Sequence, residues 1–283
     1  MAQSITNAFV TLFDAEVKQA YQSESVLRQA VRLRSGVQGQ TYKFNKLGKG
    51  SATARIPQTD VTPLNVTYSQ VTATMSDYNA AEYSDIFHQA KVNFDERSEL
   101  VQVVSKAIGR RIDQLVIDAL NGASGASTVA KNVVTSGSAA NSNLNVGKLI
   151  AAKKALDAKN VPFDDRCIAV HANNLAGLLG DERAVSGDFA SIKALVSGEI
   201  NTFMGMKFIV LGDRDEGGLP LSTNDRSVFA FHSSAIGMAE NMAQKTEINY
   251  VPEKTSFLVN SMFSAGAVSI DDEGIVKVTC DES

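Results

Sequence analysis

The residues most able to do chemistry in this chain are few: three histidines, His88, His171 and His232, and two cysteines, Cys167 and Cys280. His171 and His232 each end a segment that reads as a strand, "RCIAVHA" and "SVFAFHS", so two imidazoles could meet at one edge of the second lobe. Cys167 and His171 are of metal-ligating type, but zinc needs three or four convergent ligands and no second pair has that spacing. Solvated or core histidines are expected. The GxSxG turn that presents a nucleophilic serine does not occur. Gly147-Lys148 follows a Gly-rich stretch, yet Leu149 stands where a phosphate loop needs a hydroxyl for magnesium. The acidic clusters Asp164/Asp165, Asp213/Asp215/Glu216 and Asp271/Asp272/Glu273 sit between strand-like runs beside Gly, Pro or Arg. They read as solvated turns, without the spacing of a calcium loop. No catalytic, metal-binding or cofactor-binding residue is therefore assigned, and no cofactor is expected.

Composition points the same way. With 44% hydrophobic and 20% charged residues the chain is an ordinary globular protein, and a net charge of -4 disfavours a basic face for nucleic acid. The start lacks a secretory pattern, and no apolar run reaches the roughly 18 residues of a membrane span. A cytoplasmic, membrane-free protein with two reduced, packing cysteines is expected.

The elements that would position these residues can be read in order. Residues 4–34 carry Ile5, Phe9, Leu12, Phe13, Val17, Val26, Leu27, Val31 and Leu33 among polar ones, which predicts one or two short amphipathic helices. In "YKFNKLGKGSATARIPQTDVTPLNVTYSQ" larger side chains alternate in bursts (Tyr42/Phe44, Ala52/Ala54/Ile56, Leu64/Val66/Tyr68), broken by Gly48, Gly50, Pro57 and Pro63. That predicts a long twisted hairpin, which alone is marginal in water and needs a surface from its own domain or another molecule. Strand-like alternation continues to about residue 94. Residues 95–121 then show Leu100, Val104, Ala107, Ile108, Ile112, Leu115 and Ala119 at helical spacing, with Asp95 as N-cap and Asn121-Gly122 as the stop. A helix of that length spans about 39 Å.

"GASGASTVAKNVVTSGSAANSNLN" reads as a flexible linker or surface loop and a boundary. Beyond it come helix "LNVGKLIAAKKALDAK", strand "RCIAVHA", helices "NNLAGLLGD" and "SIKALVSG", then strands "GMKFIVLG" and "SVFAFHS". This predicts a small sheet with helices on its faces. The strand-like stretches "KTEINYVPEKTSFLVNSMFSAGAVSI" and "GIVKVTC" close the chain.

This order of parts resembles the major capsid proteins of tailed bacteriophages, the Hong Kong 97 fold. The hairpin-like stretch sits where that family has its E-loop, and residues 95–121 where it has its spine helix. "IAVHANNLAGLLGD", "LVSGEINTFMGMKFIVLGDRDEGGLP", "VFAFHSSAIGMAENM" and "SAGAVSIDDEGIVKVTC", with Gly266 and the Gly274-Ile275-Val276 turn, are similar to its later strands and turns. The resemblance implies an α+β fold with an N-terminal arm (1–41), an E-loop (42–82), a peripheral domain (83–140) with the spine helix, and an axial domain (141–238). Residues 239–283 would return through the peripheral domain, the last strand near the axial one. It also implies a non-enzymatic shell protein that assembles with itself into hexamers and pentamers of an icosahedral virion shell around double-stranded DNA. The arm's Phe9, Leu12 and Phe13 and the E-loop would lie on neighbouring subunits. Assembly would occur in the bacterial cytoplasm with a separate scaffolding protein, a portal and, in some relatives, cement proteins. Some relatives crosslink an E-loop lysine; Lys43, Lys46 and Lys49 lie in or beside the loop without an assigned crosslink. Two other readings remain open at this point: an encapsulin-like nanocompartment, and a two-lobed enzyme with His171 and His232 between its lobes.

Overall fold

The computed structural model describes residues 22–61, 63–92, 95–135, 140–179 and 202–283. Expectations for the first part of the arm and for the helix at 191–198 lie outside these residues. From Gln22 onward the arm is not helical: a single 3-10 turn (Arg28–Ala30) leads into a short strand, β1 (Arg32–Arg34). The cause is tertiary. Leu27, Ala30 and Val31 are buried in the main core, while the amides of Val26 and Leu27 donate to the carboxylate of Asp113. A distant side chain thus supplies the acceptors that a helix would otherwise provide.

β2 (Thr41–Leu47) and β3 (Tyr68–Thr74) pair antiparallel from Thr41↔Thr74 to Leu47↔Tyr68, forming the expected hairpin. The strand character stops there. Residues 48–67, apart from residue 62, carry no strand, so the alternation of Ala52, Ala54, Ile56, Leu64 and Val66 is not strand pairing. Left-handed backbone at Gln58 (φ 67°) and Asn65 (φ 47°) interrupts any extended run. β4 (Ser76–Asp85) follows, and the alternation predicted to residue 94 ends at Asp85, whose side chain accepts from the amide of Phe87 at 2.7 Å and starts a short helix, α1 (Ile86–Gln89).

The long helix α2 (Glu96–Asn121) has the expected bounds, with Glu96 and Glu99 in its first turn and Gly122 closing it. Its buried face is Val104, Ile108, Ile112, Val116, Ile117 and Leu120; Leu100, Ala107, Leu115 and Ala119 lie at its margin, half-buried. The stretch read as a linker contains a strand, β5 (Ser127–Val129), which pairs parallel with the last strand of the chain and buries Val129. It is therefore a structural segment, held by a partner far away in sequence.

Next come α3 (Val146–Ala158), β6 (Arg166–His171), α4 (Ala172–Leu179), β7 (Thr202–Phe203), β8 (Met206–Leu211), β9 (Leu221–Ser222) and β10 (Asp225–His232). β11 (Ile236–Val251), β12 (Ser256–Ser269) and β13 (Ile275–Asp281) complete the chain. Two main sheets result. One has four strands in the order β1-β11-β12-β4 and packs against α2. The other has seven, in the order β5-β13-β10-β6-β8-β7 with β9 beside β10. Every residue of β6 is buried, as expected of a central strand covered on both faces. A continuous apolar core links the two sheets through α2, and β13 carries the chain end into the seven-stranded sheet.

Candidate assembly surface

The groups that suggested chemistry are kept apart. β6 and β10 run antiparallel with His232 opposite Arg166, so His171 lies five residues further along β6, about 16 Å away at 3.3 Å per residue. The two histidines are at opposite ends of the strand pair and cannot act together. Nδ1 of His171 accepts from the amide of Asn173, and Nδ1 of His232 from that of Ser234, each at 3.2 Å; His88 is exposed on α1. Cys167 lies opposite Phe231 and Cys280 opposite Arg226, on different sides of β10. Burial raises both thiols, that of Cys280 to about 12, which leaves them unreactive near neutral pH. Among the described residues no group of His, Cys, Asp and Glu is arranged to hold a metal ion.

The Gly147-Lys148 pair is likewise engaged internally. Lys148 is fully buried, with Nζ donating to the carbonyls of Ser142 (2.5 Å) and Thr279 (3.0 Å), and burial lowers its pKa. The amide of Gly147 donates to Thr135 Oγ1 at 3.0 Å. Lys148 thus ties α3 to β13 where a phosphate loop would be open. Two of the three acidic clusters are more than solvated turns. Asp271 accepts from Lys46 at 2.8 Å and Glu273 from Lys49 at 2.5 Å, anchoring the hairpin, while Glu216 accepts from Arg111 of α2 at 2.9 Å.

The hairpin itself has two halves of different character. At its base Phe44, Ala73 and Met75 form a small core with Ala239 of β11 and Ile270. Towards its tip Leu47, Ile56, Val61, Leu64 and Tyr68 are 60, 65, 88, 55 and 79% exposed. The base is thus covered by the chain's own surface, and the tip is left uncovered by the described residues. At the far end of the four-stranded sheet, near the β11–β12 turn, Ile248 and Tyr250 are exposed on one face and Tyr83 on the other, with Phe87 exposed on α1. Surface apolar residues grouped as at the hairpin tip mark sites of association.

Two buried carboxylates, on α2 and β11, fix the arm. Asp113, fully buried on α2, accepts from Ser25 Oγ (2.8 Å), from the amides of Val26 (3.1 Å) and Leu27 (3.0 Å), and from Arg214 (2.7 Å). Glu240 of β11, also fully buried, takes both arms of the Arg28 guanidinium at 2.7 and 2.9 Å. Neither was singled out from sequence. The available signal is a lone acid within an apolar run, "RIDQLVIDAL" and "IGMAENMA", since such a charge survives burial only with partners.

By sequence, residues 5–282 match the phage capsid protein family. No curated protein matches the chain in sequence. In fold it is similar to a chain from the capsid of Cyanophage P-SCSP1u (TM-score 0.78, 16% identity, 100% of this chain and 96% of that one). It is also similar to one from the head of Helicobacter pylori bacteriophage KHP40 (0.78, 13%, 99% of each) and to a chain of Mycobacterium phage Che8 (0.71, 16%, 97% and 98%). These likenesses are those of the Hong Kong 97-like α+β fold. With the family match spanning nearly the whole chain, this protein belongs to the phage capsid protein family, as a structural protein of the virion shell.

Proposed function

We propose that this chain is the major subunit of the icosahedral head of a tailed phage, forming hexamers and pentamers that enclose double-stranded DNA. The observation that carries this reading is the exposed apolar tip of the hairpin, which has no cover among the described residues although the base has one. In the shell a neighbouring subunit covers the tip. Many modest contacts repeated on each subunit then give a stable particle. In this arrangement residues 42–82, which include the β2–β3 hairpin, are the E-loop, and residues 83–140 with α2 and the returning strands form the peripheral domain. Residues 141–238 form the axial domain around which capsomers close, and β13 contributes to its sheet. A separate scaffolding protein guides assembly in the host cytoplasm, and a portal occupies one vertex. The subunit performs no catalysis. The net charge of -4 suits a wall that DNA must slide past, because attraction to the wall would oppose packing and release.

Electron microscopy with light scattering tests the reading, on the purified chain alone and with its scaffold. Closed particles, tubes, or rings of five or six subunits are expected, with DNA in particles isolated from infected cells. A monodisperse monomer or dimer under both conditions overturns it, and particles filled with protein cargo overturn the assignment to a genome shell.

A further inference from the structure

The loop at 212–218, which follows β8 beside the short edge strand β7 of the seven-stranded sheet, is held from two sides. Towards α2, Arg214 donates to Asp113 at 2.7 Å, Glu216 accepts from Arg111 at 2.9 Å, and the amide of Gly217 donates to Gln114 at 2.8 Å. Gly217 has φ +78°, and a Cβ there would stand 2.6 Å from the carbonyl oxygen of Arg110. Only glycine lets the loop lie this close to the helix. Towards the sheet, Asp213 lies 3.1 Å from His171 Nε2 and 3.5 Å from Arg226. The carboxylate that receives Arg214 is the same one that receives Ser25, Val26 and Leu27 of the arm.

We infer that this loop is a clasp that couples the seating of the arm to the position of the seven-stranded sheet against α2. Asp113 is fully buried, and Arg214 is its one charged partner among the described residues. If the sheet carries Arg214 away, Asp113 keeps only neutral donors in an apolar surrounding, a state that favours water entry and loss of the arm. If the arm leaves, water reaches the Asp113–Arg214 pair and weakens it. Each contact therefore favours the other, and the coupling is reciprocal. It rests on contacts within one chain and is independent of the assembly reading.

Hydrogen exchange on the purified full chain tests the inference. Arg214→Ala should speed exchange of the Val26 and Leu27 amides by roughly tenfold or more, within the range of ordinary coupling between sites, and leave Val228 and Val276 of the central strands unchanged. Ser25→Ala, which removes one hydroxyl donor, should in return speed exchange of the Gly217 amide. Glu216→Gln loosens the loop and retains Arg214, so the arm should exchange at the parental rate. Parental rates at Val26 and Leu27 in Arg214→Ala, or at Gly217 in Ser25→Ala, overturn the clasp. Arm acceleration in Glu216→Gln equal to that in Arg214→Ala overturns it too, because the effect would then be general loosening. If Arg214→Ala does not fold, the Ser25→Ala result decides alone.

Discussion

Gly266 of β12 packs directly against the carbonyl oxygen of Thr74 at the end of β3: a Cβ built on Gly266 would fall on that oxygen. The hairpin can therefore cross β12 only where no side chain intervenes. Gly266→Ala must push the β3 backbone away, and backbone yields less readily than a side-chain tip. We expect a loss of about 1–3 kcal/mol, as for other overpacked sites. Urea unfolding should show a lower midpoint at unchanged slope. An unchanged midpoint would mean that the hairpin base is not seated on β12 in solution.

The second prediction concerns Asp113. Asp113→Ala removes the acceptor for four groups and leaves Arg214, itself nearly buried, without its charge partner. A loss of about 3–5 kcal/mol is expected, as when one member of a buried ion pair is deleted. Replacing Arg214 by Met in that background should recover part of it, since the stranded cation is then gone. A double-mutant cycle by chemical denaturation measures the recovery. Strict additivity of the two changes would show that they do not interact.

These nodes also mark the limit of what the sequence reveals. The long helix was legible because its apolar period and terminal Asn121-Gly122 are local, and β6, β8, β10, β12 and β13 because runs such as "CIAVH" and "VFAFH" declare themselves, whereas the two-residue strands β7 and β9 and the first half of β11 carry too short or too mixed a pattern and went unread. The failures share a different cause. The arm was read as helix because nothing near residues 22–34 announces that Asp113 will take its amides. β5 was read as linker because its partner, β13, lies at the other end of the chain. The histidine pair failed on strand direction, which a periodic pattern does not encode. The hairpin was half legible: Tyr42 and Phe44 alternate in a true strand, whereas Leu64 and Val66 show the same pattern without a strand partner.

The third prediction uses the pH dependence of Cys280. Burial raises its thiol from 9.0 to about 12, so in the unfolded chain it ionises first. Between those values the folded state binds more protons, and stability falls as pH rises, at up to about 1.4 kcal/mol per pH unit. Lys148 has the opposite sign: its pKa is lowered by burial, so its contribution to stability grows as pH rises towards 10.5. Cys280→Ala keeps the lysine and should flatten the alkaline decline, whatever its absolute cost in packing. Thiol-specific labelling at pH 8 should be negligible for the folded chain and complete in denaturant. Equal alkaline slopes for parent and variant would show that the thiol does not contribute.

The last prediction separates the two halves of the hairpin. Val61 and Tyr68 touch little of their own chain, so replacing both with Ser should change the stability of the isolated subunit by no more than about 0.5 kcal/mol, as at other exposed sites. Phe44→Ala at the base removes a ring from a small but closed core and should cost about 3–5 kcal/mol. Assembly should respond differently. If the tip is buried on a neighbour, the double Ser variant loses a contact on each of its copies and should fail to close particles while remaining a folded subunit. Thermal unfolding and electron microscopy on the same preparations provide the two readouts. Particles forming normally from the Ser variant would remove the tip from the interface and shift attention to Tyr83, Phe87, Ile248 and Tyr250. A large stability loss in the isolated Ser variant would instead mean that the tip folds back onto its own chain.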